Sequence, residues 1–314
     1  MGRYLFVLTR LALAVPLLLG IVLLVFLILK VTPGDPARLI VGLRASEAEL
    51  GAVREQLGLN DPAIVQYVAY VGRLLTGDLG YSFKSSESVA AIVAERVPAT
   101  LWLLGVGALL SLMISVPLAI LSARRPDGPV DHGVRAFGLV ALSMPSFWVG
   151  IVLILVVAVP TGWFPVGGFG ATPAEHLRSI ILPAFTLALA IAPLQVRSLR
   201  TSIIEVLGAE HVTTARSLGL SSGRIMSRFV LRNAAPPTIS ILALNVGYLL
   251  FGAVVVETTF SLPGIGQGIV LAARQRDIPT IQGYTLLFAL AVVLVFLIAD
   301  IVTSIADPRL EVES

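Results

Sequence analysis

The sequence contains no cysteine. Disulfides, thiol nucleophiles and thiolate metal sites are therefore excluded, and cysteine usage leaves the redox compartment undecided. Histidine is almost as scarce. His132, His176 and His211 are widely separated and form no metal-ligand spacing. Charge is scarce too: 13% of the 314 residues are charged and 56% are hydrophobic, whereas soluble domains average about 25% charged residues. So few charges cannot cover a globular surface, which excludes an ordinary soluble enzyme, and the hydrophobic content excludes a disordered chain. A G-x-x-x-x-G-K-[S/T] loop is also lacking, so ATP phosphates find no cradle of that kind. The nearest glycine-rich run, Gly264-Ile265-Gly266-Gln267-Gly268, has no lysine. The net charge of +3 gives no reason to expect nucleic acid.

Long apolar runs take the place of these groups. A spanning helix needs about 20 mostly apolar residues. Leu11 to Leu29 is the first such run, flanked by Arg3, Arg10 and Lys30. It exceeds the apolar core of about 7–15 residues typical of a signal peptide and continues into Val31-Thr32-Pro33-Gly34-Asp35-Pro36, so it reads as an uncleaved helix. Further spans are expected at Ala99–Leu121, Phe137–Val159, Ile180–Val196, Pro237–Val256 and Ile281–Ile301. Pro16, Pro117, Pro145, Pro183 and Pro193 fall inside these runs, which spanning helices tolerate.

Six helices put both termini on one side, and the arginines choose the side. With the termini inside, the inner segments hold Arg3, Arg10, Arg124, Arg125, Arg135, six arginines within 197–236, and Arg309. The two short outer loops hold only Arg178, Arg274 and Arg276. Positive charge collects on the cytoplasmic side, so both ends are expected there. The expected organisation is a spanning helix at 1–30, an extracytoplasmic helical segment at 31–96, a core of five spanning helices at 97–302 that includes the inner segment 197–236, and a cytoplasmic tail at 303–314. The fold class is an all-α, multi-pass protein of the cytoplasmic membrane.

The outer segment has internal structure. Ser46 and Glu49 have capping-box spacing, and the helix they open should end near Gly58. Asn60-Asp61-Pro62 starts another, with Asp61 as N-cap and Pro62 at the first helical position. Its apolar residues Ile64, Val65, Val68, Val71 and Leu75 recur at helical spacing, and Gly77 stops it. The pattern fits a small external cap that either contacts a partner or shields the helix tops. On the inner side, Gly208 precedes a short amphipathic stretch that ends at Gly219. Val212, Ala215 and Gly219 form a narrow small-residue face, while Glu210, Thr213 and Ser217 line another. Such a helix suits docking into another protein's groove. Arg224, Arg228 and Arg232 follow at i, i+4 and i+8, the pattern expected of residues meeting anionic headgroups. Asp127-Gly128-Pro129 signals a turn, and Pro236-Pro237 is expected to reset the chain before the fifth span. Trp163-Phe164-Pro165 reads as an interfacial anchor. Two acids approach the spans, Glu257 at an outer end and Asp300 at an inner end, both near enough to water to snorkel or cap. Neither has a partner for a proton relay.

Several of these stretches resemble one family. Glu210-His211-Val212-Thr213-Thr214-Ala215-Arg216-Ser217-Leu218-Gly219-Leu220 resembles the coupling-helix signature of ABC importer permeases. Thr32-Pro33-Gly34-Asp35-Pro36, Gly77-Asp78-Leu79-Gly80-Tyr81-Ser82, Ser143-Met144-Pro145-Ser146-Phe147-Trp148-Val149-Gly150, Glu257-Thr258-Thr259-Phe260-Ser261-Leu262-Pro263-Gly264-Ile265-Gly266 and Asp307-Pro308-Arg309 resemble the peptide/nickel branch, in the dipeptide and oligopeptide permease B type. The matches follow the family's order from residue 32 to 309. Ser217 and Leu218 depart from the usual coupling signature, and Thr303 stands where an aromatic residue is common.

The resemblance implies a type I ABC importer permease fold with six spanning helices and no catalytic, metal or cofactor site in this chain. The implied partners are a second homologous permease, two ATPase subunits that bind ATP and Mg, an extracytoplasmic solute-binding protein and the bilayer. Glu210, Val212, Ala215, Leu218 and Gly219 would form the ATPase-coupling segment, with Val212, Ala215 and Leu218 filling the partner's groove. Glu257, Phe260, Pro263 and Gly264 would form a gate or a binding-protein contact. The cargo would be a di- or oligopeptide, with nickel, glutathione or a haem-like group also known in this branch. The alternative is a self-contained secondary transporter or channel, which should show inverted repeats or paired ionisable residues near the midplane. An intramembrane hydrolase would need paired acids, a Ser–His arrangement or a metal triad. None of these patterns is visible, and Ser111 and Ser115 read as packing residues.

Overall fold

The computed structural model describes residues 3–31, 37–38, 46–56 and 58–306. The Thr32–Pro36 motif, the Asp307-Pro308-Arg309 motif and the side chains of Asp300 and Thr303 lie outside the described residues. Among the described residues the regular structure is helical, apart from one isolated bridge between Tyr81 and Ser88. In chain order the helices are α1 (Arg3–Val31), α2 (Glu47–Gln56), α3 (Ala63–Leu75), α4 (Val89–Arg124), α5 (Pro129–Ser143), α6 (Ser146–Thr161), α7 (Pro173–Leu207), α8 (Glu210–Ser217), α9 (Ser222–Ile225), α10 (Leu231–Thr259), α11 (Ile265–Gln275) and α12 (Ile278–Ala306). A π-helical turn, Met226–Val230, joins α9 to α10.

Three described helices are long and apolar enough to cross a membrane: Val89–Arg124, Pro173–Leu207 and Ile278–Ile298. A fourth span results if α5 and α6, bent by 98° at their junction, count as one broken crossing. The apolar stretches Ala12–Ile28 of α1 and Gly247–Thr259 of α10 are shorter than that standard. The third expected span is thus not one straight helix. Pro145 has no N–H to give to the helix before it, and it sits in extended backbone as the N-cap of α6, so the chain turns there. The other prolines behave differently. Pro16, Pro117, Pro183 and Pro193 all lie within continuous helix. Pro236-Pro237 does not reset the chain either, since α10 runs through both.

The chain forms two compact units. One comprises Met1–Arg10, Pro98–Gln267 and Val292–Ser314. Its centre is α7, where Ile180, Ala184, Leu187, Ala188, Ala192 and Ile203 are buried. Glycines bring neighbouring helices close to this axis: a methyl group on Gly252 would lie 3.0 Å from Leu187, and one on Gly107 3.6 Å from it. Small residues at such contacts let backbones approach where lipid supplies no hydrophobic drive. Ser111, expected only to pack, also accepts a bond from the buried Gln195 amide at 3.2 Å.

The other unit comprises Leu11–Val97 and Gly268–Ala291. Here the capping box forms as expected, with the Ser46 amide and hydroxyl each donating to Glu49 Oε2 at 2.8 Å. These bonds hold the Glu49 carboxyl below its ordinary range. α2 ends at Gln56, and Gly58 takes φ +62. α3 begins one residue later than expected, with Pro62 rather than Asp61 as N-cap. It ends at Gly77 (φ +80), where the amides of Gly77 and Asp78 bond back to Leu74 and Arg73. The following turn is pinned by Asp277: Ser82 Oγ donates to it at 2.5 Å and the Phe83 amide at 3.1 Å. Asp277 also accepts from Thr280 Oγ1 at 2.7 Å.

Candidate functional site

α8 realises the amphipathic stretch read from the sequence. Gly208 ends α7, Ala209 is extended, and Glu210 occupies the first turn, where an acid favours the helix dipole. At its far end Gly219 has φ +74, with open space around its Cα. Glycine is needed there for its conformation and not for room. The amides of Gly219 and Leu220 bond to the carbonyls of Arg216 and Ala215 at 2.9 and 3.2 Å, the paired closure of a Schellman motif.

The two faces of α8 differ in burial. Val212 is 0% and Ala215 4% exposed. Both belong to an apolar cluster with Ala119 and Ala123 of α4, Leu199 and Ile203 of α7, and Val230. Val212 and Ala215 therefore do not fill a partner's groove. Their small apolar face is consumed by this chain's own helices, and they seat α8. Leu218, in contrast, is 75% exposed, beside exposed Glu210, His211, Thr213, Thr214 and Ser217. This second face is exposed.

A buried ion pair flanks the same cluster. Asp131, in the first turn of α5, is fully buried. Arg200 of α7 donates to both its oxygens, from Nε at 2.7 Å and from Nη2 at 2.6 Å. Ser122 Oγ also donates to it, and the Asp127 amide does so at 2.9 Å. Arg135 Nη2 lies 3.5 Å away. The end of α4, the start of α5 and the last third of α7 are thus tied at one point. In sequence Arg200 is one more inner positive charge and Asp127-Gly128-Pro129 a turn, and neither announces this constellation. An acid two residues beyond a proline turn was the one available signal.

On the outer side, Glu257 is fully buried, not snorkelling. Thr100 Oγ1 donates to Oε1 at 2.7 Å, and the Gln267 amide to Oε2 at 3.0 Å. Thr100 in turn accepts the Ile265 amide at 2.9 Å. The chain of 258–267 therefore wraps around one carboxylate. Glycine permits this: methyl groups on Gly264 and Gly266 would stand 2.3 Å from the Glu257 carboxyl and 2.5 Å from Val254 Cα. Phe260 is buried against Gly150, and its carbonyl lies where a Gly167 side chain would begin. Of the four residues expected at a gate or contact, Glu257, Phe260 and Gly264 are buried structural elements. Only Pro263 keeps partial exposure, next to exposed Ser261 with φ +47. The loop at 162–172 meets this one through the Gly168 amide, 3.3 Å from the Ser261 carbonyl. That loop is fixed by Arg178, which donates to the carbonyls of Gly162 and Trp163, and by a Thr172–Glu175 capping box. Among the described residues no cluster of His, Asp and Glu could hold a metal ion.

Comparison with known proteins places the chain among membrane components of transport systems. A family model described as the binding-protein-dependent transport system inner membrane component matches residues 115–312. A second, described as the N-terminal part of such membrane components, matches residues 3–104. The oligopeptide transport system permease protein AppB of Bacillus subtilis (strain 168) is 39% identical over 312 residues, covering 98% of this chain and 99% of that protein. The di/tripeptide transport system permease protein DppB of Pseudomonas aeruginosa (strain UCBPP-PA14) is 35% identical, covering 97% of this chain and 98% of its own length. Among solved structures, the MetNI methionine ABC transporter in an inward facing conformation matches with a TM-score of 0.55 at 17% identity, covering 69% of this chain and 96% of that one.

Proposed function

Because the chain belongs to the binding-protein-dependent transport system inner membrane component family, we propose that it is a peptide importer's permease subunit, driven by ATP hydrolysed in separate subunits through α8. The peptide cargo is inferred from the names of the relatives that match along their full length. In the assembly, this chain and a second permease line the path across the cytoplasmic membrane. Two ATPases hold ATP and Mg inside, and a solute-binding protein delivers cargo outside. The chain crosses six times with both termini inside: α1, α10 and the bent α5–α6 pair complete the three long spans.

One observation carries the coupling role: α8 has a buried face and an open face on one short helix closed by Gly219. A peg of this kind needs both. Leu218, with Glu210 and its exposed neighbours, meets the ATPase. Val212 and Ala215 pass the load to α4 and α7, and burial of Val212 alone supplies roughly 1.5–3 kcal/mol of grip. Gly219 sets the turn that returns the chain toward α9. The Asp131–Arg200 tie then makes α5 follow α7. The outcome is gating of a two-state element without chemistry on the cargo. The Glu257-centred loop forms the outer end, with Pro263 and Ser261 as its accessible edge.

The test is uptake of a labelled dipeptide into proteoliposomes holding the assembled complex. Leu218→Asp should abolish ATP-dependent uptake while the variant still inserts and copurifies as a folded permease. Wild-type uptake by that variant, or uptake by this chain without any ATPase, would overturn the reading. Ala215→Asp is a poorer probe, since it buries an unpaired charge and disturbs the fold as well.

A further inference from the structure

We infer that the outward face of α3 is covered by phospholipid acyl chains, making Ala63–Leu75 a membrane-embedded helix and not a water-facing cap. The inference rests on the reading of α1 as a membrane span. Four observations support it. First, Ile64, Val68 and Leu75 are 71%, 64% and 84% exposed, and they fall at i, i+4 and i+11, a single stripe. Second, from Ala63 to Gly72 there is no charged residue; the helix carries only Arg73, near its end. An apolar stripe of this kind facing water is unusual in a soluble surface. Third, two polar side chains of α3, Gln66 and Tyr67, find partners within the chain, as an apolar solvent requires. The Gln66 amide donates to the carbonyls of Leu59 and Asp61 at 3.0 and 2.7 Å, and the Tyr67 hydroxyl donates to the carbonyl of Leu19 at 3.0 Å.

The fourth observation sets the depth. Leu19 lies near the middle of the apolar stretch Ala12–Ile28 of α1, and Tyr67 reaches its backbone. α3 therefore runs no farther from α1 than the length of a tyrosine side chain, and it is further held where Phe26 meets the rings of Tyr67 and Tyr70 at 5.6 and 6.0 Å. α1 itself exposes Leu13, Leu17, Leu24 and Ile28. Through the Tyr67 and Tyr70 contacts the apolar stripe of α3 lies on a helix packed directly against α1. Wherever the middle of α1 is in lipid, α3 is beside it.

The absence of cysteine permits a clean test. Val68→Cys, Ile64→Cys and Leu24→Cys are each labelled with an environment-sensitive nitrobenzoxadiazole probe. The assembled complex is placed in phosphatidylcholine–phosphatidylglycerol vesicles. Probes at 24, 64 and 68 should all be quenched by nitroxide-bearing lipid and be insensitive to aqueous iodide. If the probe at 24 is quenched by lipid while those at 64 and 68 are quenched by iodide, the inference fails and the reading of α1 stands. If all three are quenched by iodide, both fail. If iodide reaches 64 and 68 until purified solute-binding protein shields them, the face is a protein docking surface and the inference is overturned.

Discussion

Arg200 grips Asp131 by both carboxylate oxygens, at 2.7 and 2.6 Å, across 69 residues of sequence. The pair is bidentate, and the carboxylate is fully buried. Its net contribution over an apolar replacement is small, because desolvation offsets the attraction, but leaving one member alone is expensive.

Arg200→Met should therefore destabilise the protein by roughly 3–5 kcal/mol, seen as a lower unfolding temperature in detergent. Asp131→Asn should behave similarly. The double variant should lose clearly less than the sum of the two, the sign of direct coupling. Additive losses would mean that the two side chains act independently.

At Gly219 the requirement is for positive φ and not for space. Gly219→Ala should cost about 1 kcal/mol, with Gly219→Asn nearer to wild type, since asparagine tolerates this region. Hydrogen exchange over the α8 peptide should show earlier loss of protection in the alanine variant. Equal protection in all three proteins would contradict the cap geometry.

At the outer loop the constraint is steric. A methyl group on Gly266 meets Val254 backbone at 2.5 Å, which no side-chain rotation relieves. Gly266→Ala should destabilise the loop by about 1–3 kcal/mol and open 258–267 to limited proteolysis. Glu257→Gln should do the same, because an amide cannot accept from both Thr100 and Gln267 as the carboxylate does. Unchanged cleavage rates in both variants would remove Glu257 as the organiser of the loop.

The Ser46–Glu49 capping box predicts a pH dependence. Bonds from Ser46 hold the Glu49 carboxyl below its ordinary range, so its contribution is fully present above the unfolded value of about 4.3 and is lost as pH falls through the lowered folded value. Amide exchange in α2 should accelerate on acidification through that window, corrected for intrinsic rates. Ser46→Ala should flatten the response.

Local features were legible because neighbouring residues make them. The Ser46–Glu49 box, the stop at Gly77 and the bounds of α8 from Gly208 to Gly219 all depend on contacts a few residues apart. Long-range pairings were not. Nothing near Asp131 indicates that Arg200 will meet it, nor does anything near Glu257 name Thr100, 157 residues away. The face of α8 shows a third kind of gap. A small apolar stripe satisfies a partner's groove and the chain's own core equally well, and only packing decides which receives Val212 and Ala215. Proline was ambiguous for a related reason. Pro183 and Pro193 are absorbed within a helix whose neighbours cover it, whereas Pro145 turns the chain.

The most direct measurement is disulfide and maleimide cross-linking from single cysteines placed along α8 in the assembled complex. Leu218→Cys and Thr214→Cys should cross-link to the ATPase subunit, with a yield that changes when ATP is trapped. Val212→Cys and Ala215→Cys should remain unreactive in the folded protein. Cross-linking at 212 and 215 with none at 214 and 218 would contradict the assignment of the two faces, and no ATPase adduct at any of the four would remove α8 as the coupling element.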